Sequence, residues 1–421
     1  MLKQRSLLII AYYFPPAGGA GVQRTLKFTK YLPEFGWNPI VLTVTPQAHR
    51  LHDDAFLAEI PPQTQVYTAH AWLLPHKLPW RLRHFLSTWF MVVDEQIGWY
   101  IPALKKAKEL LNTHHITAIY STSSPYTDHL IGLSLKRASK LPWLADFRDP
   151  WYGNFARHYP TRIHRQLDQT LEGRVVHGAD RIVVVSEPMR SDLLSRYPDL
   201  EAGKIITISN GYDPADFIDC QPAQFPHNQM VIVYTGSFYA RNRTPEKFLN
   251  ALAAAIDSGL IPKNQIRVDF IGNIGGRSTR YIAETGLKDV VNLKGYLPHR
   301  ETISHMLSAD ILLLIIGSSP GSEAVLTGKI FEYLAANKTI LALAPKGAAA
   351  RLISEANAGV VVDPDDVQTI SSALAELYSR WKRGELESRS IPSVVQKFDR
   401  RLLTSTLAEQ LDQISPPSDH S

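Results

Sequence analysis

The chain has 421 residues, 44% of them apolar and 20% charged, which excludes a disordered chain and predicts two domains of about 200 residues each. Its single cysteine, Cys220, excludes an internal disulfide framework and a cysteine-based zinc cluster, and no stretch reaches the ~18 uninterrupted apolar residues of a membrane span. Residues 1–200 contain 23 Lys and Arg against 16 Asp and Glu, so the first half is expected to meet an anionic partner. Because no nucleic-acid-binding signature is present, an anionic membrane surface or a lipid-phosphate acceptor is favoured over nucleic acid.

Short apolar runs alternate with amphipathic helical patterns along the whole chain. In the first half, strands are predicted at residues 7–14, 39–45, 65–69, 118–121, 141–146 and 181–185. In the second half, they are predicted at residues 231–235, 266–271, 290–294, 311–316, 339–344 and 360–362, with helices such as 244–258 and 300–308 between them. This alternation is typical of βαβ units and predicts a parallel sheet in each half.

A proline-containing stretch without periodicity separates the halves. We predict a first domain at residues 1–212, a linker at 213–228, a second domain at 229–392, and a final helix with a frayed tail at 393–421. The final helix is expected to cover residues 394–414.

The first strand is followed by the glycine-rich sequence PPAGGAG, residues 15–21. Ligands of open parallel sheets bind beyond the carboxyl ends of the strands, and Gly18 and Gly19 let backbone amides approach a phosphate or a sugar there. The loop does not complete a dinucleotide-binding GxGxxG pattern, and the second strand lacks the acid that would hold an adenosine ribose. A plain flexible loop is the alternative.

The fifth strand ends in the charged sequence DFRDPW, with Asp146, Arg148 and Asp149. Three charges at the mouth of a buried strand need partners or a ligand, and the alternative to a site is a structural network in which Arg148 neutralises one carboxylate. Arg148 between the acids disfavours a divalent cation. His129, one turn into the helix after the fourth strand, is a weaker candidate, since a lone helical histidine is more often packed or at the surface.

The first strand of the second half leads into Gly236 and then into a basic loop and a helix start. A glycine, cations and a helix N-terminus form an anion cradle, which makes Arg243 and Lys247 candidate phosphate ligands.

Residues 321–345, GSEAVLTGKIFEYLAANKTILALAP, combine a turn, a helix expected at 329–336 and a buried strand. The helix N-terminus and Lys329 favour a phosphate, and Glu332 can accept two neighbouring hydroxyls of a sugar ring. Glu323 lies close before the helix. The alternative is an exposed ion pair between Lys329 and Glu332 on an amphipathic helix.

Residues 75–93 mix basic and aromatic side chains in one helical segment. This composition is typical of an interfacial membrane helix, and also of a helix whose aromatic residues pack inside the first domain. Both interpretations remain open at this point.

The 321–345 segment, with a lysine three residues before a glutamate and then Tyr333-Leu334-Ala335-Ala336 and an apolar strand, resembles the donor site of GT-B glycosyltransferases of the retaining family-four type. The DFRDPW sequence resembles a feature on the acceptor side of bacterial members. The resemblance implies that Glu332 holds the ribose of a nucleotide sugar. It also implies a donor-binding set of Gly18, Gly19, Gly236, Arg243, Lys247, Glu323, Lys329 and Glu332, and a catalytic set of Asp146, Arg148, Arg243 and Lys329. Family members often carry two glutamates separated by seven residues, whereas Glu323 and Glu332 are separated by eight, so Glu323 departs from the pattern.

The fold implied is α/β of the GT-B type, with two Rossmann-like domains facing across a cleft and a C-terminal helix crossing back. The activity implied is a metal-independent, hexosyltransferase-like transfer from a nucleotide-sugar donor to a carbohydrate or lipid-linked acceptor, with retention, in bacterial surface-polysaccharide synthesis. No cofactor is expected, and the location expected is the cytoplasm, peripherally on the inner face of the membrane. A sugar-nucleotide epimerase and a non-catalytic glycan- or nucleotide-binding protein on the same fold are the alternatives.

Overall fold

The computed structural model describes residues 5–74, 78–154, 157, 159–218, 220–226, 228–238, 244–319, 321–386 and 390–415. The chain forms two compact units, one made of residues 1–209 and 400–421 and the other of residues 210–399. Each unit has its own parallel sheet, which confirms the predicted α/β class with two Rossmann-like units.

Unit 1 contains a seven-stranded sheet in the order β3-β2-β1-β4-β5-β6-β7. The strands are β1 (Arg5–Ile10), β2 (Trp37–Val44), β3 (Gln65–Ala69), β4 (Ile116–Ser123), β5 (Trp143–Phe147), β6 (Arg181–Val184) and β7 (Ile205–Thr207). The helices between them are α1 (Ala20–Tyr31), α2 (Trp80–Phe90), α3 (Tyr100–Thr113), α4 (Thr127–Ser139), α5 (Arg162–Gly178) and α6 (Glu187–Arg196). Six of these strands were predicted, and the three-residue β7 was missed because it is too short to show a pattern.

Unit 2 contains a six-stranded sheet in the order β10-β9-β8-β11-β12-β13. The strands are β8 (Met230–Thr235), β9 (Ile266–Ile271), β10 (Val291–Gly295), β11 (Ile311–Ile315), β12 (Thr339–Leu343) and β13 (Gly359–Val362). The helices are α7 (Glu246–Asp257), α8 (Gly275–Glu284), α9 (His299–Ser308), α10 (Gly328–Ala335), α11 (Ala348–Glu355), α12 (Val367–Lys382) and the short α13 (Pro392–Val395). Every strand lies within one residue of its predicted position.

The chain returns to unit 1 through α14 (Arg400–Ile414), whose Leu403, Leu407 and Leu411 pack in one core with Leu7 and Ile9 of β1. Leu8 and Ile10 point to the core on the other face of the sheet, because successive side chains of a strand alternate between its faces. Both faces of the sheet are therefore covered at β1, which explains the continuous apolar run at residues 7–10 of this strand.

The prediction of one helix over residues 394–414 was wrong. Asp399 has extended backbone angles (φ −62°, ψ 126°), and the backbone N–H of Tyr212 donates to the carbonyl of Phe398 at 3.0 Å. This backbone contact takes the place of a helical hydrogen bond and separates α13 from α14.

The predicted linker belongs to unit 2 in the structure. The backbone N–H of Ala223 donates to the carbonyl of Ser304 on α9 at 3.2 Å, and the ring of Phe225 lies 5.5 Å from that of His305. These contacts hold the segment against α9 of unit 2.

His129 is a core residue. Its side chain is buried, its Nδ1 lies 2.8 Å from Ser121 Oγ, and its ring packs at 4.4 Å against Phe147. Burial lowers the pKa of His129 from 6.5 to about 3, so the imidazole is neutral in the folded protein at pH 7.

We expect the stability of unit 1 to fall with acid, and to fall less in His129→Gln. Below pH 6.5 the imidazole of His129 is protonated in the unfolded chain but stays neutral in the folded chain. Its contribution to the free energy of unfolding is therefore complete above pH 6.5 and is lost as the pH drops toward 3. The loss is about 1.4 kcal/mol per pH unit, or roughly 2 kcal/mol between pH 6.5 and about pH 5. Seven of the eight tryptophans lie in unit 1, so tryptophan fluorescence during urea unfolding reports on this unit.

The control is His115→Gln, which changes an exposed histidine of the same unit. An equal acid dependence in the parent protein and in His129→Gln would contradict the assignment.

Candidate functional site

Three neighbouring strands of unit 2 end in glycines with positive φ. Gly236 follows β8 (φ 110°), Gly272 follows β9 (φ 122°), and Gly295 ends β10 (φ 67°). The N–H of Gly236 donates to the carbonyl of Ile271 at 2.8 Å, and the N–H of Gly272 donates to that of Gly295 at 2.6 Å. A Cβ on Gly272 would lie 2.4 Å from the carbonyl oxygen of Gly236, so no larger residue fits. The carboxyl ends of β8, β9 and β10 therefore form a floor of backbone without side chains, made of these three glycines.

Lys329, in the first turn of α10, lies above this floor. Its ammonium is 3.9 Å from the centroid of the Tyr234 ring, and a Cβ on Gly236 would come within 2.6 Å of it. The Tyr234 ring is itself buried and stacks on Phe238 at 4.3 Å. The glycine makes room for the lysine, and a cation over an aromatic face is attracted to it.

Tyr333 attaches α10 to the sheet. Its hydroxyl accepts from the backbone N–H of Thr235 at 2.9 Å and lies 3.3 Å from the carbonyl of Leu313, to which it donates. Ile330, Phe331, Tyr333 and Leu334 are buried, and this helical spacing places Lys329 and Glu332 on the remaining face.

Glu332 is joined to a residue that the sequence analysis missed. His299 Nε2 lies 2.8 Å from Glu332 Oε1, and the two side chains are only 11% and 13% exposed. His299 is the first residue of α9 and lies 33 positions from Glu332 in the chain, so no local pattern indicates the pair. The alternative of an exposed ion pair between Lys329 and Glu332 is wrong, because Glu332 is largely buried against α9.

The other predicted donor residues of unit 2 are placed differently. Glu323 is exposed on a 3-10 turn (Ser322–Ala324), and the described residues include no ion-pair partner for its carboxylate. Lys247 is exposed in the first turn of α7. Arg243 lies outside the described residues. The structure thus brings Lys329, Gly236 and Glu332 to one place, and the donor roles of the other three residues stay predictions.

In unit 1, Asp146 is buried in a network with Arg24, another residue that the sequence analysis missed. Arg24 Nε donates to Asp146 Oδ2 at 2.9 Å and Arg24 Nη2 donates to Oδ1 at 2.8 Å. The hydroxyls of Tyr120 and Thr122 also donate to Oδ2, at 2.6 and 3.0 Å. The charge of Arg24 holds the pKa of Asp146 below its usual range, against the effect of burial. This geometry favours a structural role for Asp146, and its catalytic role stays an untested prediction.

The structural alternative supposed an ion pair of Arg148 with a carboxylate, but among the described residues the Arg148 guanidinium bonds to backbone instead. Its guanidinium donates to three backbone carbonyls, those of Gly21, Ser123 and Ser124, the last at 2.6 Å. It therefore ties the start of α1 to the loop after β4. Asp149 accepts instead from the Ser124 hydroxyl at 3.0 Å.

The glycine loop borders a pocket of about 310 Å³ in unit 1. Gly18 lines it, and the N–H of Gly18 donates to the carbonyl of Leu51 at 2.9 Å. Gly19, with φ 90°, precedes α1. The remaining wall mixes rings, apolar chains and planar polar groups: Tyr12, Tyr13, Ala17, Ala48, His49, Arg50, Leu51, Leu73, Leu74, Arg83, Met91, Glu95 and Gln96. Burial, with His52 nearby, lowers the pKa of His49 from 6.5 to about 4, so this wall carries a neutral imidazole at pH 7.

Helix α2, the described helical part of residues 75–93, bears on the interpretation that its aromatic residues pack inside the first domain. None of its side chains is buried; Trp80 is 72% exposed and Phe90 71%. Polar contacts hold the helix to the unit, since Arg83 and Ser87 both bind Glu95, at 3.2 and 3.0 Å. Its aromatic residues therefore do not pack inside the domain. Within the described part of the chain, no helix has the length and hydropathy needed to cross a bilayer.

Two parallel sheets of seven and six strands in separate units match the two Rossmann-like domains of the GT-B fold. Residues 18–216 match the family model "Glycosyltransferase Family 4", and residues 229–380 match "Glycosyl transferases group 1". The chain belongs to this family of glycosyltransferases.

Similar solved structures agree over nearly the whole chain. Sucrose-phosphate synthase from Thermosynechococcus elongatus is 16% identical, with 97% of this chain and 98% of that chain covered and a TM-score of 0.70. A glycosyltransferase from Rickettsia africae is 15% identical, with 99% and 100% covered and a TM-score of 0.65. Anabaena HepE in complex with UDP-glucose is 16% identical, with 97% and 99% covered and a TM-score of 0.62. At these identities the likeness shows the fold. No curated protein sequence matches the chain.

We expect Arg24→Met to destabilise unit 1 by about 3–5 kcal/mol, because it leaves the buried carboxylate of Asp146 without its cation. Replacing both partners, Arg24→Met with Asp146→Asn, should recover most of this loss. Urea unfolding followed by tryptophan fluorescence measures it. A stable Asp146→Asn protein that has lost sugar transfer would instead favour the catalytic assignment of Asp146.

Proposed function

We propose that this glycosyltransferase moves a sugar from a nucleotide-sugar donor held by unit 2 to a carbohydrate or lipid-linked acceptor, with retention at the anomeric carbon. One observation carries the proposal: Lys329 and Glu332 project from one helix above a floor of bare backbone at the carboxyl ends of neighbouring strands.

Each part of this arrangement suits one part of a nucleotide sugar. The carboxylate of Glu332 can accept hydrogen bonds from the two ribose hydroxyls. Lys329 and the N-terminus of α10 can bind the diphosphate, whose negative charge grows as the sugar leaves. Arg243 and Lys247 are proposed to add to this charge. These cations take the role of leaving-group stabilisers in a mechanism that needs no metal, and undiminished transfer in excess chelator would support that step.

The comparisons support a first choice of donor and of pathway. The Anabaena neighbour is described in complex with UDP and with UDP-glucose, so uridine nucleotides are the first to test. Another neighbour, WaaG, is described as a glycosyltransferase involved in lipopolysaccharide biosynthesis, which supports a role in bacterial surface polysaccharide synthesis. Retention rests on the family resemblance alone.

The pocket in unit 1 supports a carbohydrate as the group that receives the sugar. Aromatic rings such as Tyr12 and Tyr13 offer flat faces to a sugar ring, and Arg83, Glu95 and Gln96 offer planar donors and acceptors to its hydroxyls. The predicted loop glycine Gly18 lines the same pocket, and we propose that it belongs to the acceptor side as well.

The exposed face of α2 supports a membrane-bound acceptor. Trp80, Phe85 and Phe90 are exposed on a helix that also carries Arg81 and His84 and has no acidic residue. Such a helix lies in the headgroup region of an anionic bilayer. A cytoplasmic protein held on the inner face of the membrane is the corresponding proposal.

Incubation with labelled nucleotide sugars and a membrane extract tests the proposal. Transfer of label to the extract supports it, isomerised donor would indicate an epimerase, and unchanged donor with tight nucleotide binding would indicate a binding protein. The anomeric configuration of the product, measured by NMR, decides between retention and inversion.

We expect Glu332→Ala to weaken the binding of the nucleoside monophosphate and of the full donor by similar factors, because both ligands keep the ribose. A hydrogen bond to a charged group contributes about 1.5–3 kcal/mol, or roughly tenfold to a hundredfold in affinity. Lys329→Ala and Arg243→Ala should instead spare the monophosphate and weaken the diphosphate and the donor. Calorimetric titration measures each affinity.

Glu355→Ala, an exposed glutamate at the end of α11, is the matched control for the change of charge. If Glu332→Ala binds nucleoside, monophosphate, diphosphate and donor like the parent protein, the donor-site assignment fails.

We expect the protein to sediment with vesicles of anionic lipid, more weakly as salt rises, and the double variant Trp80→Ser/Phe90→Ser to bind at least tenfold less. Removing one large apolar side chain from the bilayer interface lowers the binding free energy by at most about 1.5–3 kcal/mol, the value of burying such a side chain. Added salt weakens binding because it screens the attraction of Arg81 to lipid phosphates. Ile101→Ser is the control, because Ile101 is 61% exposed on α3 of the same unit. Equal sedimentation of the double variant and the parent would remove α2 as the contact.

A further inference from the structure

We propose that His299 is a positioning residue that fixes the carboxylate of Glu332 and thereby sets the preference of the donor site for ribose over deoxyribose. The inference rests on the proposed function, in which Glu332 accepts hydrogen bonds from the ribose hydroxyls. It adds a residue from a different helix to that site.

The direction of the hydrogen bond is defined when Glu332 is ionised, the state in which it accepts from ribose hydroxyls. An ionised carboxylate has no proton to give, so the Nε2 atom of His299, 2.8 Å from Glu332 Oε1, is then the donor. This assigns the proton of the imidazole to Nε2. The contact is shielded, since each side chain is only about a tenth exposed (11% and 13%), and a shielded hydrogen bond to a charge is stronger than an exposed one.

The two residues come from elements that are fixed independently. α10 is held by the Tyr333 hydroxyl, and α9 is held by its buried Ile303 and Met306. His299 is the first residue of α9, where the backbone is already ordered by the bond from the N–H of Thr302 to the carbonyl of Pro298 at 2.9 Å. A glutamate side chain has several free torsions, and an anchored donor on its oxygen removes most of that freedom.

Fixing the orientation of the Glu332 carboxylate affects the choice between ribose and deoxyribose, and it leaves the charge near the phosphates unchanged. A vicinal diol is recognised by a hydrogen-bond acceptor in the correct place and orientation, and a site that is displaced by even 1 Å loses much of its discrimination. Without His299 the carboxylate keeps its charge near the site but loses the hydrogen bond that the imidazole makes to Oε1. The expected consequence is a lower preference for ribose with little change in the binding of the phosphates.

The experiment compares UDP with 2′-deoxy-UDP, or the corresponding pair for whichever of the four common nucleoside diphosphates binds most tightly. Calorimetric titration is done with the parent protein and with Glu332→Ala, His299→Ala, His299→Gln and Glu301→Ala. The last changes an exposed residue of α9 and serves as the matched control. Inorganic pyrophosphate is titrated as a ligand that lacks the ribose.

We expect the parent and Glu301→Ala to prefer the ribonucleotide by about tenfold or more, the size of one good hydrogen bond to a charged group. His299→Ala should reduce this preference to about threefold or less, and His299→Gln, which can still donate from its amide, should restore part of it. Pyrophosphate should bind all five proteins alike.

The outcomes separate this inference from the proposed function. If Glu332→Ala keeps the full preference for ribose, the donor-site assignment itself fails. If Glu332→Ala loses the preference and His299→Ala keeps it, only the inference about His299 is overturned. Weaker binding of UDP, 2′-deoxy-UDP and pyrophosphate by equal factors in His299→Ala would also overturn it, because a purely structural tether affects all ligands together.

Discussion

The hydroxyl of Tyr333 is the contact on which the geometry of the candidate site depends. It accepts from the N–H of Thr235 at the end of β8 and donates to the carbonyl of Leu313 in β11, so one atom joins α10 to two neighbouring strands. Lys329 lies four residues before it on the helix, and Glu332 lies next to it in sequence. The two candidate side chains therefore project from a helix whose rotation and height above the sheet are fixed, which a loop would not provide.

Much of the fold follows from local patterns in the sequence. The central strands β8, β11 and β12 of unit 2 are buried at every position and consist almost entirely of apolar residues, so their positions were predicted to within one residue. The helix of the donor site was predicted at 329–336 and found at Gly328–Ala335, because its buried positions recur with helical spacing. The break before α14 was not predictable in this way. The carbonyl of Phe398 accepts there from the backbone N–H of Tyr212, which is far away in the chain.

The sequence analysis named Lys329, Gly236 and Glu332, which the structure brings together, but it did not predict the partners of the buried charged residues. Periodicity indicates which side chains are buried, but it does not indicate what they meet. Glu332 meets His299 across 33 residues, and Asp146 meets Arg24 across 122. For Asp146 the sequence correctly required a partner at the mouth of a buried strand, and the nearest cation, Arg148, was the natural candidate. The structure uses Arg148 for carbonyls instead, since the carbonyls of Ser123 and Ser124 at the end of β4 lie beside it.

A charged side chain at a strand end is thus weak evidence for a ligand-binding site. A charged side chain beside strand ends that carry glycine is stronger evidence. Arg24 and Asp146 satisfy each other with two hydrogen bonds in a fully buried position, and this arrangement needs no ligand to explain it. Near Lys329, by contrast, two strands end in glycine. A Cβ on Gly236 would collide with the Lys329 ammonium, and a Cβ on Gly272 would collide with the carbonyl of Gly236. Glycine at the end of a strand is less constrained in the unfolded chain and disfavours folding, so its presence at adjacent strand ends requires a reason. Room for the ammonium of Lys329 supplies such a reason at Gly236, whereas the charge of Asp146 at the end of β5 is balanced within unit 1 by Arg24.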